Sequence, residues 1–361
     1  MDNISPTIYD VAARAKVSVA TVSRHINGSA KLSSATQRRV EKAITELGFV
    51  ANPMAQHLSS GRTKILGVAF PKDFIVDEHP GVERESMLYV DMLLRSIETE
   101  ASNANYSILL SFTSLDEDER IEQLQRILAT VDGLIVLERV ITPKVMKSVD
   151  FRVPLVVVAS ESDSLKFDTV TISNKRAMAE IATHLVADHG VVSAGIITGR
   201  LRSPDAYERR DAFLEHFTAL GGVVKKHDIM EGDWSVESGY EAMTKRLKSK
   251  TKLPRCIIAG NDQSALGALN ALNEHGIRVP DEVMLTGFDD TPMSLFMTPP
   301  LTTVRQDTFG MGVEAVRLLL DAIANPGRAK QSVMLDTQLV LRNSCGCSTS
   351  KGLNLMRELA S

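Results

Sequence analysis

The chain has 361 residues, of which 24% are charged and 43% hydrophobic, so two or three domains with a sizeable core are expected. No apolar run approaches membrane-spanning length, and the N-terminus lacks a charged-then-apolar signal, so a cytoplasmic protein is expected. The formal net charge of −4 does not by itself suggest nucleic acid, but its distribution does: residues 1–64 hold nine Lys/Arg against four Asp/Glu, and the rest hold 32 against 41.

In chain order, Thr7–Asn27 reads as two short helices around a tight turn. Thr7 with Asp10 forms a capping-box pattern, so a helix can start at Ile8, with Ile8, Val11, Ala12 and Ala15 on one face. Ser18 can cap a second helix that buries Val22 and Ile26. Val19, Ala20, Thr21, Ser23, Arg24 and Asn27 are left facing outward. Little bulk, thymine-contacting methyls and one guanine-reading arginine suit a helix lying in a DNA major groove. The competing reading of this stretch alone is a surface helical hairpin of an all-α domain. Ser33 or Ser34 can cap a third helix that buries Val40, Ala43, Ile44 and Leu47 and stops at Gly48. Ala51–Leu58 and the linker Ser59-Ser60-Gly61 follow.

From Lys64 the pattern changes to strand–helix alternation. Apolar strands are expected at 65–70, 107–112, 133–137, 155–159, 169–172, 194–197, 223–227, 256–259 and 283–287. Amphipathic helices are expected at 88–104, 117–130, 174–189, 205–220, 235–248, 263–275 and 309–324. Short apolar runs between such helices imply βαβ units and parallel sheets buried on both faces. Nearly 300 residues exceed one ordinary sheet, so two doubly wound subdomains are expected, with a ligand in the cleft at the strands' carboxyl ends.

Several cleft candidates can be named physically. Trp234, the sole tryptophan, can stack on a sugar's apolar face or simply pack at a helix start. Arg209, early in a helix where the dipole does not favour a cation, can serve hydroxyls across a cleft or remain a surface charge. Asn261 and Asp289 end strands and can fork hydrogen bonds to vicinal hydroxyls, or do turn and cap work. Asp262 is read as the cap of the helix from Gln263, and Gln306 as ligand or hinge. The long acidic stretch between Phe70 and Leu88 makes Asp73 and Phe74 weaker candidates, as part of a lid or a solvated loop.

Residues 7–58 resemble the DNA-binding headpiece and hinge helix of the LacI-type family of bacterial repressors, through YDVA, VS.ATVSR.IN, the Val40–Phe49 helix end and N..A..L, in the family's order. Lys16 stands where the family usually has glycine, and Ala51 where it has proline. The core also resembles that family's effector domain, which is similar to periplasmic sugar-binding proteins. The matching words are Ala259-Gly260-Asn261-Asp262, Val279-Pro280-Asp281, Gly287-Phe288-Asp289-Asp290, Pro300–Gln306, Gly232-Asp233-Trp234-Ser235 and Arg209 with Ala212-Phe213.

The resemblance implies an all-α helix-turn-helix headpiece plus an α/β core of two doubly wound parallel-sheet subdomains. Expected spans are 1–50 for the headpiece, 51–63 for hinge helix and linker, 64–172 with 305–335 for the N-subdomain, 173–304 with 336–347 for the C-subdomain, and 348–361 for a tail. It places Thr7, Ser18, Val19, Ala20, Thr21, Ser23, Arg24, Asn27, Ser33, Thr36, Asn52, Ala55, Gln56 and Leu58 at DNA, with Leu58 wedged into the minor groove of a kinked step. It makes Arg209, Trp234, Asn261, Asp289 and Gln306, with Asp73, the effector contacts.

The function expected is a sequence-specific transcriptional regulator, a repressor of carbohydrate-utilisation genes controlled by a small sugar-like effector. Its partners would be a two-fold operator and a second copy of the chain, with a tetramer also open; the tail is too short a heptad stretch to claim a coil. The alternative, a solute-binding module without DNA function, is opposed by residues 7–58. An enzyme is not expected, since GxGxxG, P-loop and GxSxG patterns are missing. No cofactor is expected. No metal is expected either: Cys345-Gly346-Cys347 is tighter than an ordinary zinc pair, no histidine partner is nearby and the eight histidines form no metal spacing, so reduced thiols are the reading.

Overall fold

Local signals set the ends of the first three helices. The computed structural model describes residues 6–26, 32–49, 62–72, 87–159, 166–200, 203–249 and 251–348. Helix α1 (Ile8–Ala15) starts on a reciprocal capping box between Thr7 and Asp10 and ends at Lys16, which takes the left-handed conformation at φ 50°. The glycine usual at that turn is therefore replaced at some steric cost. Helix α2 (Val19–Ile26) is capped by Ser18, whose Oγ accepts from the Thr21 amide at 3.2 Å. Helix α3 (Ser34–Leu47) is capped by Ser33 and closed by Gly48 at φ 62°. Val11, Ala12, Ala15, Val22, Val40 and Ala43 form the shared core of this unit, with Ile8, Val17, Val19, Ile26, Ile44, Leu47 and Phe49 packed around it.

The chain divides at Lys64/Ile65 into this headpiece unit and a larger core unit. The core opens with β1 (Ile65–Pro71), α4 (Met87–Asn103), β2 (Ser107–Thr113), α5 (Glu117–Leu128), β3 (Gly133–Leu137), the short α6 (Pro143–Ser148), β4 (Leu155–Val158) and β5 (Asp168–Ile172). It continues with α7 (Asn174–Ala187), β6 (Ser193–Ile197), α8 (Pro204–Ala219), β7 (Val223–Met230), α9 (Val236–Lys248), β8 (Cys256–Ala259), α10 (Asp262–Glu274) and β9 (Met284–Thr286). The remaining elements are α11 (Met293–Phe296), β10 (Thr303–Gln306), α12 (Thr308–Ala324), β11 (Ser332–Leu335) and β12 (Thr337–Val340).

Two parallel sheets result. The first runs β11-β5-β4-β3-β1-β2 and the second β7-β6-β8-β9, as the alternation of short apolar runs and helices requires. β10 and β12 form a separate antiparallel pair. β11 reaches the first sheet through Asp168, a fully buried carboxylate that takes both guanidinium nitrogens of Arg328 at 2.8 and 3.1 Å and the Gln331 amide at 2.7 Å. α12 covers β3, β4 and β5 and packs on α4.

Helices α9 and α10 approach so closely that a Cβ on Gly267 would stand 1.9 Å from the Val236 carbonyl, and one on Gly239 2.2 Å from that of Ser264. Only glycine permits that contact, and it fixes the two helices that lead away from Trp234 and Asn261. Among the described residues, no helix is long and apolar enough to cross a membrane.

The C-terminal cysteines correct one expectation. Cys345 and Cys347 have no histidine near them in sequence, but in space the Sγ atoms lie 3.5 and 3.7 Å from Nε2 of His184, and Cys347 Sγ lies 3.4 Å from Nε2 of His189. Adjacency along the chain says nothing about α7, whose end the returning segment meets.

Candidate functional site

On the headpiece, Thr7, Ser18, Ala20, Arg24 and Ser33 are exposed, while Thr21, Ser23 and Thr36 are half-buried. Hydroxyl pairs Ser18–Thr21 and Ser33–Thr36, each 2.9 Å apart, stand at the starts of α2 and α3. Val19 departs from its expected outward position. One turn before Val22, it is half-buried and packs on the headpiece core. Tyr9, not singled out from the sequence, is 71% exposed on α1. Its place between the half-buried Ile8 and the buried Val11 was the available signal. Asn27, Asn52, Ala55, Gln56, Leu58 and Asp73 lie outside the described residues.

In the core unit a cleft with about 640 Å³ of space, part of it open to solvent, gathers residues that follow strand ends of both sheets. Ser203, Asp205 and Arg209 follow β6, Trp234 follows β7, Asn261 follows β8, and Asp289 follows β9. Leu137, Arg139, Ala159 and Ile172 come from the ends of β3, β4 and β5, with Tyr89 on α4, Met311 on α12 and Gln306 on β10. The strand-end rule reaches these first-sheet residues too, yet their apolar members read as core in the sequence.

Arg209 is held from three sides. Its Nε donates to Asn174 Oδ1 at 2.9 Å and its Nη1 to the Gly260 carbonyl at 2.8 Å. The guanidinium carbon stands 3.6 Å from the Phe288 ring centroid and 5.3 Å from that of Trp234. Nη1 is 3.7 Å from Asp289 Oδ1. Only 5% exposed, Arg209 is a fixed donor and not the solvated surface charge of the competing reading. Asp289 accepts from Gln306 Nε2 at 2.7 Å. Burial pushes its carboxyl up to about 7; Arg209 and Gln306 oppose that rise, and Asp205 adds to it.

Trp234 lies flat over Gly199, where a Cβ would fall 2.0 Å from indole Cε2. Ala159, Trp234 and Asp289 take left-handed φ of 62°, 78° and 108°. Three non-glycine residues in that region around one cleft mark backbone strain of the kind that collects at binding sites.

The cap expected at Asp262 is made by Asn261 instead. Asn261 is the cap of α10, accepting from the Ser264 amide at 3.0 Å, while its Nδ2 donates to the Trp234 carbonyl at 2.9 Å. It also lines the cleft. Asp262 is fully buried and accepts from Thr303 Oγ1 at 2.6 Å and from the Thr291 amide and hydroxyl at 2.7 and 3.0 Å. Burial and the neighbouring Asp289 hold its carboxyl well above the usual range. It ties the β8 end to the β9–β10 crossover. Asp290 turns the other way from Asp289 and accepts from Arg342 at 2.5 Å and Arg305 at 2.7 Å. The adjacent aspartates are thus no acid/base pair.

A helix-turn-helix unit whose second helix exposes one arginine, Arg24, in a chain whose two-sheet core carries a polar, partly strained cleft, defines a DNA-binding regulator with a ligand site. The lacI family model of bacterial regulatory proteins matches residues 7–52, and a periplasmic binding protein-like domain matches residues 182–345. Catabolite control protein A of Priestia megaterium is 32% identical over 316 residues, 87% of this chain and 91% of that protein. The lac repressor dimer bound to operator and the anti-inducer ONPF superposes with a TM-score of 0.80 at 27% identity, over 94% of this chain and 99% of that one. The transcriptional regulator CelR in complex with cellobiose gives 0.68 at 28% identity, over 94% and 99%. The chain belongs to the lacI family of bacterial regulatory proteins: it is a transcriptional regulator and not an enzyme.

Proposed function

We propose that this protein is a cytoplasmic homodimeric repressor of carbohydrate-utilisation genes whose two headpieces read a two-fold operator and whose core cleft takes a small sugar-like effector. The observation that carries the effector reading is the juxtaposition of a flat indole with a rigid arginine and a buried carboxylate. An aromatic face receives the C–H face of a sugar ring, and fixed donors and acceptors at its rim discriminate hydroxyls, because a desolvated polar group left unpaired is costly. Arg209 Nη2 has no hydrogen-bond partner among the described residues, which leaves donors for a ligand. That the CelR–cellobiose complex and the operator-bound lac repressor dimer share the fold supports both halves of the reading.

The subdomain limits we assign are 64–172 with 305–335 and 173–304 with 336–347. β11 adding to the first sheet while β12 leaves it to pair with β10 supports the exchange at Asp336. Effector binding would change the angle between subdomains and so the spacing of the two headpieces.

A thermal-shift screen of sugars, sugar phosphates and nucleobases tests the effector class, since a ligand at 100 times its Kd stabilises by about 2.7 kcal/mol. Retardation of upstream DNA, altered by the hit compound, tests the repressor. Stabilisation by nucleobases alone would overturn the sugar assignment, and no retarded band with the native upstream region would overturn operator recognition.

A further inference from the structure

At the far end of α7 from the cleft, four metal-ligating side chains converge. His184 and His189 bring Nε2 atoms 3.2 Å apart, and the Cys345 and Cys347 sulfurs lie 3.4 to 3.7 Å from them. All four ligand atoms fall within 4.8 Å of one another. Zinc–sulfur bonds of about 2.3 Å and zinc–nitrogen bonds of about 2.0 Å at tetrahedral angles give ligand–ligand edges of roughly 3.3–3.8 Å. The measured nitrogen–nitrogen and nitrogen–sulfur separations are close to those edges.

We propose that His184, His189, Cys345 and Cys347 form a structural zinc-class metal site that clasps the returning C-terminal segment to α7. The local structure prepares each ligand. His184-x4-His189 has the spacing of a zinc-binding histidine pair and spans the end of α7. His184 Nδ1 lies 2.7 Å from Asp188 Oδ2, which fixes the ring and leaves Nε2 for a metal, as carboxylate–histidine pairs do behind zinc. The Cys-x-Cys pair is tighter than the usual zinc knuckle, but Gly346 at φ 90° after the short helix at Asn343–Cys345 turns the chain so that both sulfurs face one side. Thr302 Oγ1 donates to Cys345 Sγ at 3.0 Å, a contact suited to a coordinated thiolate. Cys345 and His184 are buried and Cys347 and His189 half-buried, so an ion has an entry path on one side and four protein ligands around it. Four protein ligands leave no open position, which makes the site structural and not catalytic.

The full-length protein, stripped with a chelator under reducing conditions and titrated with Co²⁺, tests this. One equivalent per chain should develop thiolate-to-cobalt charge transfer and the intense ligand-field bands of a tetrahedral site, and Zn²⁺ should displace it. Asp188→Asn alters an exposed side chain that touches no metal and should weaken binding roughly 10- to 100-fold. The paired change Cys347→Ser with His189→Gln should abolish the spectrum while far-UV circular dichroism remains native. The proposal is overturned if stoichiometric Co²⁺ gives no such bands, if the paired variant titrates like the parent, or if the freshly purified chain carries a Cys345–Cys347 disulfide and takes up no metal after reduction.

Discussion

Replacing Asp289 by Asn changes the charge of the cleft with almost no change in its shape. In the structure this carboxylate accepts from Gln306 at 2.7 Å and stands 3.7 Å from Arg209. A hydrogen bond from a ligand hydroxyl to a charged acceptor contributes about 1.5–3 kcal/mol, so Asp289→Asn should raise the effector Kd by roughly 10- to 150-fold. The pH of the assay matters. Burial pushes the carboxyl up to about 7, so it is ionised in roughly nine of ten molecules at pH 8 and one of ten at pH 6. Wild-type affinity should therefore fall roughly tenfold from pH 8 to pH 6, and the variant should show no such slope. The stability sign is the opposite. A carboxyl raised in the folded state takes up a proton on folding between about pH 4 and 7, so its contribution is present below pH 4 and lost as pH rises through about 7. At pH 8 Asp289→Asn should thus be at least as stable as wild type. Trp234, the only tryptophan, lies against this site, and its fluorescence reports both titration and melting. If the variant binds like wild type at pH 8, or loses operator binding without ligand, Asp289 is a turn residue and the pocket reasoning fails.

Arg24→Ala should cost roughly 1–3 kcal/mol on the cognate operator and relax preference at one base pair; an equal loss on random DNA in a gel shift would reduce Arg24 to a phosphate contact. Gly199→Ala places a methyl 2.0 Å from the indole and should expel the ring, shifting Trp234 emission to the red and removing effector binding; an unchanged spectrum would contradict the stacked placement. Gly267→Ala meets a backbone carbonyl at 1.9 Å, so α9 and α10 must separate; a loss of about 1–3 kcal/mol in denaturant unfolding is expected, and a neutral result would mean the crossing yields cheaply.

Much of this architecture was readable from residue order because its signals are local. Thr7, Ser18, Ser33 and Gly48 set the headpiece helices where the caps said they would. Apolar runs such as Gly133–Leu137 and Cys256–Ala259 were found to the residue, since a strand buried on both faces has no polar member to blur its ends. The four-residue strands β10, β11 and β12 escaped, being short crossover pieces whose partners are distant in the chain. In the cleft, Arg209, Trp234, Asn261, Asp289 and Gln306 do come together, whereas Tyr89, Arg139 and Asp205 were missed. The misplaced cap at Asp262 has a similar cause: either side chain can cap a helix, and the Thr291 and Thr303 groups that engage Asp262 stand 29 and 41 residues away in the chain. The cysteine–histidine cluster joins positions 161 residues apart, a separation no local pattern spans.

Asp289 and Asp290 share one peptide unit yet serve different tasks. The first faces the cleft with Gln306, while the second is bound by Arg305 and Arg342 among the crossing strands. Because Gln306 and Arg305 are themselves neighbours on β10, a contact of the cleft and a contact of the crossing strands sit side by side in the same two dipeptides. A backbone shift at either dipeptide would therefore be felt both in the cleft and at the crossing strands. The cleft residues Tyr89, Ser203 and Asp205 lie off that pair.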